Sequence, residues 1–311
     1  MLDVFLLAKV LLVGGLTAAV SMLLSAWGTV RLWQRSACWS WAVGAGVLAA
    51  SGATDQWPHW PALEDRGRFL TLLVPLTLLL DTLASTARSR RVAWIMRAGL
   101  AAIVTPILLH NSVYLADLDG RNSAEWSSLQ ATIVLCGLAA LLMLWWAMLS
   151  GLQSQTSSHV VMWVLALDAL AVAATVMLSG YYRAGLLGLG LAAALAGATL
   201  ASHLARPQST ANGSLSMAVV GIFSVLLAGR FFGQLSTGQM AWLLLAPMLV
   251  WTVELPRLRS LSPGWRNAVR LSCLTVPLIV IVIVAQRKFI AASTARSTPS
   301  SPSAFRDLHE K

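Results

Sequence analysis

Asp168 stands eight residues into an apolar run, Val160–Ser179. At the rise of an α-helix that is roughly 12 Å along the axis, close to the middle of a membrane-length helix. No basic residue of the run neutralises it. Val164, Asp168, Ala171 and Thr175 share one face by their three- and four-residue spacing. The result is a narrow stripe of small and polar groups. A carboxyl in such a place either holds a proton or cation beside a cavity, or stays protonated and hydrogen-bonds to a neighbouring helix. Asp168 and Thr175 are therefore the candidate ion or proton site.

Asp81 and Arg97 form a second constellation. Asp81 lies four residues before the end of the run Phe69–Ser85, and Arg97 five residues into Val92–His110. In an antiparallel hairpin the two sit at similar depth, so the spacing predicts an intramembrane ion pair. It would serve as a gate or as a lock on the hairpin. Thr77, Asp81, Ser85 and Arg88 share one face. A third group, Asp55, His59, His110 and Asp117, falls at the opposite end of the chain's runs and forms a candidate outer-face cluster. Asp55 and His59 belong to the loop Asp55-Gln56-Trp57-Pro58-His59-Trp60-Pro61, followed by Glu64-Asp65-Arg66-Gly67-Arg68. Its prolines exclude a regular helix, and its tryptophans would lay it on a membrane surface as an ordered cap.

Other chemistry finds no signature. There is no phosphate-binding glycine loop, no HExxH, no nucleophile elbow and no CxxC. His159 and His203 end two runs on one side, the one histidine pair at matching depth for a bis-His haem. No other residue supports it, so no cofactor and no metal is expected. Cys38, Cys136 and Cys273 lie far apart within apolar runs and read as small core residues.

The elements that must position these residues are legible in composition. Hydrophobic residues make up 57% and charged residues 11% of the 311. A soluble domain carries about a quarter charged residues, and this much apolar surface would leave it sticky in water. The expected fold class is all-α, a polytopic transmembrane helical bundle of about ten helices. The expected runs are Leu2–Leu24, Ala37–Ala53, Phe69–Ser85, Val92–His110, Leu129–Ser150, Val160–Ser179, Leu186–Leu204, Leu215–Phe232, Met240–Val253 and Leu271–Ala285. Residues 1–286 form this domain. Residues 287–311, rich in Ser, Thr and Pro, read as a disordered tail.

The net charge of +10 comes from arginines in the short connections: Arg31 and Arg35, Arg88 to Arg91, Arg206, and Arg257 to Arg270. These connections alternate, so one side of a cell membrane is cytoplasmic and the N-terminus lies outside. That pattern excludes a nucleic-acid partner. Arg287 and Lys288, directly after the last run, oppose an even count of crossings. The 14 tryptophans, among them Trp27, Trp39, Trp94, Trp126, Trp242 and Trp251, read as an interfacial belt.

Pro75, Pro106, Pro247 and Pro277 are expected kink points. Pro75 with Asp81 and Pro247 with Glu254 suggest a faint internal repeat. Gly185, Gly188, Gly190 and Gly197 make one run narrow enough for close packing, with the Asp168 stripe as its expected neighbour. Three functions fit these residues. The first is a small-solute or ion-coupled carrier working through Asp168. The second is a non-catalytic membrane subunit or scaffold, with a membrane-protein partner or a second copy of itself. The third is an intramembrane lipid-modifying enzyme using the outer cluster. The lipid bilayer is the common partner of all three.

Overall fold

The computed structural model describes residues 3–27, 35–54, 62, 64–87, 89–110, 112–115, 126–205, 214–254 and 263–297. These residues are all-helical. They form α1 (Val4–Trp27), α2 (Arg35–Gly52), α3 (Asp65–Arg68), α4 (Val74–Thr86), α5 (Arg90–Leu109), α6 (Ser128–Gln155), α7 (Ser158–Leu178), α8 (Tyr182–Ala205), α9 (Ser214–Phe231), α10 (Thr237–Leu245) and α11 (Pro263–Ser297). A π-helical turn, Phe69–Leu73, joins α3 to α4 without a break, and a 3-10 segment, Ala246–Glu254, continues α10. The described residues thus make ten rods, one for each expected run. Seven of these helical stretches are long and apolar enough to cross a membrane. The three others are α2, the short α9 and the rod of α10 with its 3-10 segment.

Local sequence explains several boundaries. Ser127 and Ser236 each accept from the third residue of the following helix, and Gln130 and Gln239 reach back to the cap amide. Both are capping boxes, which satisfy orphan amides at a helix start. Pro75 and Pro247 sit at irregular turns. Pro75 lacks the amide that would bond Thr71 within the π turn, and Pro247 opens the 3-10 segment. One proline accompanies a widened helix and the other a tightened one, so the two halves of the proposed repeat differ in backbone. The tail departs from expectation as well. α11 stays helical through residues 287–297, where Gln286, Arg287, Lys288 and Ala291 are good helix formers.

Packing is built around α9. Every residue from 215 to 229 is buried, and α9 touches α2, α4, α5, α6, α7, α8 and α10. A helix enclosed by protein needs neither lipid-length nor an amphipathic face. α8 is the second buried rod, lodged between α1 and α7. Its glycines permit this. A Cβ on Gly197 would stand 2.1 Å from the Gly15 carbonyl oxygen of α1, and one on Gly190 would stand 2.8 Å from the Ala50 Cβ of α2. Gly185 and Gly188 instead meet α7, at Met177 and Ala173. Ala173 lies about 140° around the helix from Asp168. The glycine helix therefore packs on a different face of α7 from the Asp168 stripe.

The outward faces are apolar. Phe5 and Leu12 on α1, Leu129 and Ile133 on α6, and Val276 and Ile279 on α11 are all exposed. The tryptophans divide. Trp242 is exposed as a belt residue would be, whereas Trp39 is 1% exposed and belongs to the core. Trp145 and Trp146 are buried too. Cys136 is exposed on α6, and Cys38 and Cys273 are half-buried, so the cysteines are free thiols at helix surfaces rather than core residues.

Candidate functional site

Three polar regions lie along the bundle, and α7 gives their order. Its start carries His159, its middle Asp168, and the turn after its end Tyr181.

Asp168 is fully buried, and neither carboxylate oxygen has a hydrogen-bond partner. Thr175 is buried on the same face but donates to the Ala171 carbonyl of its own helix at 2.7 Å. The structure therefore brings the stripe together as a surface, without a bond between Asp168 and Thr175. The rods packed on α7 are chiefly α8, α9 and α11. The buried residues of α11 are the apolar Leu274, Leu278, Ile281 and Ala285, with Arg270 buried nearer its start. The basic groups of these rods, Arg183 and His203 on α8, Arg230 on α9, and Arg266, Arg270, Arg287 and Lys288 on α11, lie away from the helix centres. Asp168 thus sits in packed protein.

The His159 end holds more buried polarity than the spacing predicts. Asp81 is 6% exposed and accepts from the Ser40 hydroxyl of α2 at 2.6 Å. Ser216 of α9 lies beside the same carboxylate, outside hydrogen-bond geometry. One residue on in each helix, the Trp41 indole N–H donates to Thr82 at 3.3 Å. These contacts tie α2 to α4. They also take Asp81 away from its expected partner: no direct ion pair joins Asp81 to Arg97. The Arg97 guanidinium lies 5.2 Å from the centre of the Trp94 ring and 5.5 Å from that of Trp146. Two indole faces hold the cation, and Asp81 acts on it only across space. The hairpin geometry does bring both residues to one level, but rotation about each helix turns Asp81 to α2 and Arg97 to α6. Spacing along one chain cannot supply that information.

His159 and His203 do meet. Their rings stack with centroids 4.3 Å apart, Ser202 lies 3.1 Å from the His159 Nδ1, and Trp39 packs beside His159. Rings lying face against face leave no room for a metal between their nitrogens, so this pair does not present a bis-His haem site. Among the described residues, no group of three His, Cys, Asp or Glu side chains is placed to hold a metal.

At the Tyr181 end the main network involves residues outside the expected cluster. α7 closes with Gly180 at φ 92°, and the Tyr181 amide donates back to Val176 while the Gly180 amide donates to Met177. This is a Schellman cap, which requires a left-handed residue that only glycine adopts freely. It aims Tyr181 at α3, where its hydroxyl donates to Asp65 at 2.6 Å. Burial and the Asp65 carboxylate push the Tyr181 phenol above its ordinary range, so it stays a donor. Arg183 pairs with Glu64 at 2.8 Å, the one direct ion pair among the described residues. Arg68 is buried and donates to the carbonyls of Ala62, Leu108 and His110. A cation thereby closes the C-terminus of α5, where the helix dipole favours one. Asp65, Arg66, Phe69, Leu108 and Ser224 line a small open depression here.

Of the expected outer cluster, His110 contributes only its backbone carbonyl to this network. Asp55, His59 and Asp117 lie outside the described residues. The run Glu64-Asp65-Arg66-Gly67-Arg68 was the visible signal for the network, together with Tyr181 and Arg183 in the opposite short turn.

No protein-family model, no curated protein and no solved structure matches this chain.

Proposed function

We propose that the chain is a multi-pass protein of the cell membrane and an ion-coupled carrier of a small solute, with Asp168 as its coupling group. The exposed apolar faces of α1, α6 and α11 suit lipid and would aggregate in water. The arginine-bearing connections favour a cytoplasmic His159 end and an outer Tyr181 end.

One observation carries the carrier reading. Asp168 is fully buried with both oxygens unpartnered. An ionised carboxylate there is heavily penalised, and even the neutral acid costs free energy without a hydrogen bond. A purely structural acid would be bonded to a neighbouring helix. Asp168 makes no such bond, so its use lies in a second arrangement of the rods where it meets water and exchanges an ion. In this reading the buried arrangement of Asp168 is one end of that cycle. The irregular turns at Pro75 and Pro247 are places where rods can bend. A scaffold or subunit has no comparable use for the group.

The test is uptake by proteoliposomes carrying the purified chain, with imposed proton or sodium gradients and a panel of labelled amino acids, sugars and organic acids. Gradient-driven uptake of one class is expected from the wild type. Asp168→Asn is expected to abolish coupling at unchanged abundance and helicity. Wild-type uptake in that variant removes the proposal's support.

A further inference from the structure

We infer that the His159 end contains an oxyanion-binding site centred on Arg97, taking a phosphate or carboxylate group. The argument rests on orphan donors. Among the described residues Arg97 has no carboxylate within ion-pair distance, and its Nε is buried with no hydrogen-bond partner. Its guanidinium lies against the ring of Trp146, which is fully buried and whose own indole N–H has no partner. The same half of α6 carries two more buried orphan donors, the Trp145 indole N–H and the Gln153 amide Nε2. Buried donors are almost always satisfied in folded proteins. The acceptor missing here is an anion, because the one full charge among these donors is positive.

Geometry supports this reading. A guanidinium presents a planar fork that matches carboxylate and phosphate oxygens. The flanking Trp94 and Trp146 rings hold the fork in place. Arg90 lies two turns away on the same face of α5 and adds positive potential. Asp81 opposes the anion across space, and its bond to Ser40 keeps it out of direct contact. This inference does not depend on transport, since binding is measured without a gradient.

The experiment uses the full chain in nanodiscs, with the thermal unfolding midpoint as readout. One arm titrates inorganic phosphate and acetate into phosphatidylcholine discs. The other replaces part of the phosphatidylcholine with phosphatidylglycerol. A saturable rise with the free anions identifies a soluble ligand, and a rise confined to phosphatidylglycerol identifies a lipid headgroup. Both support the site, provided that Arg97→Gln weakens the effect at least tenfold and Arg183→Gln leaves it intact. Trp146→Phe, which keeps an aromatic ring and removes the indole N–H, is expected to weaken binding severalfold. Asp81→Asn is expected to tighten it. No saturable rise in either arm overturns the inference, as does an unchanged rise in Arg97→Gln. Should Arg97→Gln not fold, unchanged binding in both Trp146→Phe and Asp81→Asn overturns it equally.

Discussion

At the scale of the residue, Asp168 sets stability against use. Its side chain fills space in the core of α7 yet makes no bond with either oxygen. An apolar side chain of similar size would fill the same space without the desolvation penalty. Asp168→Leu is therefore expected to raise stability by about 1–3 kcal/mol, the usual cost of burying an unpaired polar group. Thermal unfolding in detergent checks this, beside the uptake assay. A more stable and inactive Asp168→Leu is the pattern of a residue kept for activity. A destabilised Asp168→Leu means that the carboxyl makes favourable contacts and weakens the case for a second arrangement. The depth of Asp168 was readable from the chain, because it depends on one helix, whereas its lack of a bonding partner was not, because that depends on the neighbouring helices. The separation of Asp81 from Arg97 was not, because it depends on which neighbour each helix turns toward.

At the scale of the element, the closest crossing is that of α1 and α8. Gly197 meets backbone, the Gly15 carbonyl at 2.1 Å from a built Cβ, so no side chain can swing away to make room. Gly197→Ala must push α1 off α8 and is expected to cost about 1–3 kcal/mol, as overpacking does. Gly137 on α6 has nothing within 4 Å of its built Cβ and serves as the contrast. Gly137→Ala is expected to be neutral or to stabilise by up to about 1 kcal/mol, since it lowers the entropy of the unfolded chain. Equal effects of the two substitutions would refute the crossing. The ten rods themselves follow from apolar runs of the right length, and each expected run has its rod. All but the first rod start before their expected runs, since residues at helix starts, such as the capping serines Ser127 and Ser236, are polar and fall outside any hydropathy window. That the glycines of α8 face α1, α2 and α7, on the side of α7 away from Asp168, is a property of the assembled bundle. The network at the Tyr181 end was half legible: its charges were visible in the run from Glu64 to Arg68, but the turn that delivers Tyr181 to Asp65 was not.

At the scale of the whole molecule, the open matter is how many rods cross. Ten crossings return the chain to its starting side, and Arg287 with Lys288 resists that by the positive-inside rule. α11 supplies a physical answer. It is 35 residues long, or about 52 Å, against a hydrocarbon core of about 30 Å. Lys288 stands roughly 27 Å beyond Arg270 along the helix axis, so with Arg270 at the near boundary both cations reach the far headgroup region by snorkelling, their helix still intact. Their competitors, Arg266 and Arg270, sit at the other end of the same helix beside the arginines of the preceding connection. The larger cluster is expected to fix that end in the cytoplasm and to carry the smaller one across. Asp3 and Ser293 then share the outer face, and Thr156, between α6 and α7, lies inside. Single cysteines at these three positions, in a background lacking Cys38, Cys136 and Cys273, test this with a membrane-impermeant maleimide on intact cells. Asp3→Cys and Ser293→Cys are expected to label at once, and Thr156→Cys only after permeabilisation. Labelling of Ser293→Cys from the opposite side to Asp3→Cys would mean an odd number of crossings. The rod at fault would then be α2, α9 or α10 with its 3-10 segment, the three that fall short of a full apolar span. Since α9 is wrapped by protein along nearly its whole length, a failure to cross would fall on α2 or on the rod broken at Pro247.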